Sequence, residues 1–179
     1  MGVCVDTRKR ATIHWLMAMV LAALLLQATV ASAQRTIPDD LIIVMQRGNC
    51  EGGCPVYRIL IFANGDAIWQ GRGGVVRIGI EHSTIQPDDI RALIHDFASI
   101  DYFKIDNIYG YRGNGCRASL PEKPMVLLSY SIDGRSRTLW HHDGCTGEIS
   151  EKLSALENSI DQAVHAERWT AGKAVGGNR

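Results

Sequence analysis

Two turn dipeptides set what this chain can fold into. Asn64-Gly65 stands between the apolar runs Val56–Ala63 and Asp66–Gln70, and Asp133-Gly134 between Met125–Ile132 and Arg137–His141. Asn-Gly and Asp-Gly tolerate positive φ at both central residues of a tight turn, so each predicts a β-hairpin and antiparallel pairing. The β-branched run Leu41–Met45 predicts a buried strand ahead of the first hairpin. After the turn Gly71–Gly74, Val75–Glu81 continues the meander. Four strands are therefore expected before any helix.

Pro87 suits a first helical position, and Asp88 and Asp89 put negative charge at the positive end of the helix dipole. Ile90, Leu93, Ile94 and Phe97 then recur at i, i+3, i+4 and i+7, one apolar stripe that needs a sheet to lie on. Ile149, Leu153, Leu156, Ile160 and Val164 mark a second helix from about Gly147 to His165. Strands followed by helices predict an α+β fold. The expected order is β-β-β-β-α-β-β-α, an antiparallel sheet with two amphipathic helices packed on it.

The N-terminal segment bears on chemistry. Arg8, Lys9 and Arg10 precede an apolar run from Trp15 to Leu26, and Ala31-Ser32-Ala33 supplies a small-residue cleavage pattern. The run falls short of the about 20 apolar residues that span a bilayer. Residues 1–33 are thus expected to be a cleaved signal peptide, which predicts an exported protein, periplasmic or secreted. Residues 34–40 read as a short arm, 41–169 as a single α+β domain and 170–179 as a flexible tail. Beyond the leader no apolar stretch of spanning length remains. The chain balances 19 basic against 19 acidic side chains. It lacks the basic footprint of a nucleic-acid binder.

Four cysteines follow the leader: Cys50, Cys54, Cys116 and Cys145. In an oxidising compartment they read as two disulfides, and four cysteines allow three pairings. The local pairing, Cys50–Cys54 with Cys116–Cys145, is preferred, because Gly52 and Gly53 let the short ring close. The competing pairing crosses the halves, Cys50–Cys145 with Cys54–Cys116. A zinc or copper site at His141, His142 and Cys145, with Asp143 between, is the sharper alternative, but adjacent strand residues point to opposite faces and the cysteine spacing forms no paired knuckles. A redox role for Cys50 and Cys54 would need a helix N-terminus, and Pro55 leads into a strand. No metal or cofactor is expected.

No nucleophile elbow, zinc-protease helix motif, phosphate loop or dinucleotide fingerprint is present. His95 reads as a solvated side chain, and His82 as an undistinguished strand-end residue. Residues 104–123 form a long Gly- and Tyr-rich connection, and loops of that length are functional or pinned by a cross-link. Tyr109, Tyr111, Arg112 and Arg117 are its candidate contact residues.

The segment Cys50-Glu51-Gly52-Gly53-Cys54-Pro55-Val56-Tyr57, followed by Ile59-Leu60-Ile61 and Asn64-Gly65, resembles the uncharacterised bacterial exported-domain family known as domain of unknown function 6438. Gly71, Gly79, Phe97, Tyr102-Phe103 and Trp169 fit that family's order, and the resemblance covers roughly residues 41–169. Gly115–Pro121 departs from the family pattern, and Cys116 with Cys145 looks like a cross-link added in this branch. The resemblance implies an exported or surface domain and supplies no catalytic residues. The expected role is a non-enzymatic module of the bacterial envelope that binds an envelope component or a protein partner. An envelope hydrolase or thiol enzyme assembled only in the fold is the alternative, and an inhibitor of a protease or wall hydrolase a further one.

Overall fold

Alternation decides the sheet. In a computed structural model, which describes residues 36–110 and 115–170, the odd-numbered residues Leu41, Ile43, Met45, Tyr57, Ile59, Ile61, Ala67 and Trp69 all turn to one buried face. The chain divides into Met1–Thr36 and Ile37–Arg179, and every element below belongs to the second unit. Residues 1–35, with the expected signal peptide, and residues 171–179, the expected tail, lie outside the described residues.

The strands are β1 (Ile42–Arg47), β2 (Val56–Phe62), β3 (Asp66–Gly73) and β4 (Gly79–Thr84). Helix α1 (Pro87–Ser99) follows, then a single 3-10 turn at Tyr102–Lys104. The short strands β5 (Ile108–Tyr109) and β6 (Ala118–Ser119) come next. The second hairpin is β7 (Met125–Ile132) and β8 (Arg135–His142), followed by β9 (Cys145–Thr146). Helix α2 (Glu148–Ala163) and a last turn, α3 (Glu167–Thr170), complete the chain. The fold is α+β with a mostly antiparallel sheet.

Seven strands lie in the order β4-β3-β2-β1-β7-β8-β5, with β6 and β9 forming a separate ribbon. The first strand is therefore central. It pairs with β2 from Ile42↔Phe62 to Arg47↔Tyr57 and with β7 from Ile42↔Ser131 to Arg47↔Val126. The expected element order omits the pieces that local patterning cannot carry. These are the two-residue strands β5, β6 and β9, of which β5 pairs in parallel with β8, the 3-10 turn, and α3.

The fourth strand begins at Gly79 and not at Val75, because the amides of Val76 and Arg77 donate to the carbonyl of Trp169 (3.0 and 3.3 Å). The two hairpins also close differently. Asp133 and Gly134 both adopt positive φ, a two-residue turn. At the first hairpin only Gly65 does (φ 89°), after a turn closed by its own amide donating to the Phe62 carbonyl. Asp40 clamps the Asp133-Gly134 turn by accepting from the amides of both residues, at 3.0 and 2.6 Å.

The helices cover one sheet face, where α1 contributes Ile90, Leu93 and Phe97 and α2 contributes Leu153, Leu156 and Ile160. Phe97 stacks on Tyr130 at 3.9 Å, and Trp69 is held between Tyr57 and Trp169 at 5.7 and 5.0 Å. The other face carries no helix among the described residues.

Candidate functional site

Under the helices the apolar core is interrupted by one connected polar cluster. Arg47 ends β1 on the same inward phase as Ile43 and Met45, and Tyr57 lies opposite it in register. His141 occupies the inward phase of β8, while Ser150, Glu157 and Asp161 project from α2. All six are buried.

Arg47 Nε donates to Tyr57 OH (3.1 Å) and to Asp161 Oδ2 (3.1 Å), and its Nη2 reaches the same oxygen at 2.9 Å. Nη1 donates to Glu157 Oε2 and Nη2 to Asn158 Oδ1, both at 3.4 Å. Tyr57 OH donates to Asp161 Oδ1 at 2.6 Å. His141 Nδ1 lies 2.7 Å from Glu157 Oε1, and its Nε2 lies 2.7 Å from Ser150 Oγ. Ser150 Oγ donates to the Cys145 carbonyl, also at 2.7 Å.

The hydrogens can be placed by elimination. A hydroxyl has one proton, and Ser150 spends it on Cys145, so Ser150 accepts from His141 Nε2. One proton lies between Nδ1 and Glu157 Oε1, so the His141–Glu157 pair is neutral overall. Arg47 is balanced by Asp161. Buried charges persist when they balance and are hydrogen-bonded in this way. Burial works to lower the Arg47 guanidinium, but Asp161, then Tyr57 and Glu157, outweigh it and hold it above its ordinary value. Burial pushes the Tyr57 hydroxyl and the Asp161 carboxyl up.

Glu157, His141 and Ser150 are connected in the order of a hydrolase relay, yet the proton polarity is reversed. In a nucleophilic serine the hydroxyl donates to the imidazole. Here it accepts from the imidazole and donates outward, and the side chains are sealed from solvent. The cluster joins the central strand, the second hairpin and α2. Sequence reasoning missed it. Its signal was phase: Arg47 continues the alternation Leu41, Ile43, Met45, and Glu157 and Asp161 continue Leu153 at steps of four.

The structure joins Cys50 to Cys54 (Cα–Cα 5.4 Å) and Cys116 to Cys145 (5.2 Å). The second bridge fastens the long connection to the rim of the last hairpin, where the Arg117 amide donates to the Thr146 carbonyl. Tyr109 is half-buried, tilts against the His141 ring and donates its hydroxyl to the Gly115 carbonyl at 2.9 Å. Tyr111 and Arg112 lie outside the described residues. An open groove of about 400 Å³ lies beside Tyr109, lined also by Lys104, Ile105, Ile149 and Lys152. No cluster of three His, Cys, Asp or Glu side chains able to hold a metal occurs among the described residues. No helix among them is long and apolar enough to cross a membrane. Ser119 Oγ lies 3.4 Å from His142 Nδ1, while the neighbouring Asp143 carboxylate accepts from Ser154.

A family model described as Domain of unknown function (DUF6438) matches residues 41–164. The chain belongs to that family. The matched segment of this DUF6438 domain contains both disulfides and all six residues of the buried cluster. No curated protein matches the chain.

The DUF6438 domain leaves its second sheet face uncovered by any described helix. Ile42, Val44, Leu60, Phe62, Ile68 and Leu127 lie on it, half-buried or exposed. In register at its edge, Ile108 pairs with Trp140, and the two side chains are 50% and 40% exposed. The open face thus runs into the start of the long connection.

Proposed function

We propose that this chain is an exported, disulfide-held binding module without catalytic chemistry of its own. It takes an apolar segment of an envelope protein on the open sheet face, at the corner where that face meets residues 104–123. The observation that carries this reading is the Ile108–Trp140 pair. Two large apolar side chains stand side by side in solvent, in continuity with an apolar sheet face. Export rests on the leader-like residues 1–33 and agrees with two disulfides. A photo-crosslinking residue at 108 or 140, compared with one at the exposed Glu148 on α2, tests it in the native host. Adducts specific to 108 and 140 support the surface; equal labelling at all three positions, or none, refutes it.

The Ser119–His142 contact favours one second reading, a serine hydrolase working at the β6–β9 ribbon. Labelling of the oxidised protein by a fluorophosphonate, abolished by Ser119→Ala, would establish it. Absence of labelling would remove it.

A further inference from the structure

The three most exposed large apolar side chains among the described residues sit on one segment, two residues apart. Val76 is 58% exposed, Ile78 69% and Ile80 60%. Ile80 lies in β4, and Val76 and Ile78 in the segment that leads into it; β4 pairs only with β3 among the described residues and so forms an edge of the seven-stranded sheet. Edge strands are ordinarily blunted by charge, proline or a covering element, because a bare edge recruits another strand. This edge presents isoleucines instead.

We infer that β4 is a homodimer interface, with a second copy of this chain as its occupant. The backbone sets the phase. The Ile85 amide donates to the Gly65 carbonyl (2.8 Å), which puts the odd-numbered residues of β4 on the β3 side and turns the amide and carbonyl of Ile80 outward. An antiparallel copy placed with its two-fold axis at Gly79 puts Ile78 opposite the partner's Ile80 and Arg77 opposite the partner's Glu81. Apolar meets apolar and cation meets anion, twice by symmetry. Neighbouring registers lose this match. An axis at Glu81 sets that carboxylate against its own copy, and an axis at Ile80 sets Ile78 against His82. Arg77 and Glu81 already associate within one chain, at 3.3 Å, and their side chains are 65% and 35% exposed, so each can exchange its partner for the symmetry mate. The interface uses no residue of the Ile108–Trp140 corner.

Analytical ultracentrifugation of the oxidised full chain over a concentration series tests the pairing. A reversible dimer is expected, and Ile80→Lys should leave only monomer. Arg77→Glu should weaken the dimer roughly tenfold by setting like charges opposite one another in both symmetric pairs. The double variant R77E/E81R should restore it. Circular dichroism and retained disulfides check that each variant is folded. A wild-type chain that stays monomeric overturns the proposal, as does a dimer indifferent to Ile80→Lys or a charge swap that fails to restore association. A dimer lost only on Trp140→Ser would place the contact on the open face and overturn it too.

Discussion

His141 and Glu157, on a strand and a helix 16 residues apart in sequence, meet at 2.7 Å in the interior. Glu157 also accepts from Arg47, so one side chain holds both Arg47 and His141. Truncating it by Glu157→Ala strands both. Removing one partner of a buried ion pair costs about 3–5 kcal/mol. Urea unfolding of the variant should show a loss of that order, and a change near zero would mean that Glu157 does not couple Arg47 to His141.

The acid limb of stability should carry a signature of Asp40. The Gly134 amide holds its carboxyl below the ordinary 3.8, against weak desolvation and with help from the Asp133 amide. A carboxyl depressed in the folded state stabilises above its unfolded value, and that stabilisation disappears as pH falls through the folded value. The destabilisation caused by Asp40→Ala should therefore be full above pH 3.8 and shrink below it. Denaturant melts of both proteins across the acid range would show this, and a pH-independent difference would contradict it.

The two bridges should differ in weight. They close sequence separations of 4 and 29 residues. The chain-entropy relation assigns about 2 kcal/mol to the smaller ring and about 3.6 kcal/mol to the larger. Guanidinium melts of C50S/C54S and C116S/C145S should rank in that order. A reversed ranking would mean that the Cys50–Cys54 turn holds more of the fold than its ring length implies.

Gly71 should resist any side chain. A Cβ there would stand 2.0 Å from the Arg77 carbonyl oxygen and 2.4 Å from the Trp69 ring. Relief requires moving backbone or a buried indole, and overpacking of this kind costs about 1–3 kcal/mol. Gly71→Ala should lower the melting temperature, whereas Gly73→Ala, which meets nothing within 4 Å, should cost far less.

Much of the sheet was legible because strands announce themselves by period two and by their turns. The hairpin at Asp133-Gly134 and the stripe Ile90, Leu93, Phe97 required only local pattern. The strand order did not. Nothing near Leu41 says that β1 will lie between β2 and β7, a pairing decided by burial of both its edges. Two-residue strands such as Ile108–Tyr109 have no period to read. The buried cluster was hidden for a further reason. Arg47, Glu157 and Asp161 are residue types expected in solvent, and only their phase, which propensity ignores, places them inside.

The central position of β1 has a consequence for how the chain comes into being. Translated from the N-terminus, it offers β2 first, so one flank of β1 is satisfied early. The other waits for Met125–Ile132, made after the whole of α1 and the long connection. During that interval Ile42–Arg47 is an apolar ribbon with one raw margin. A ribosome-tethered chain cut short of Met125 should be the species that chaperones hold and that aggregates.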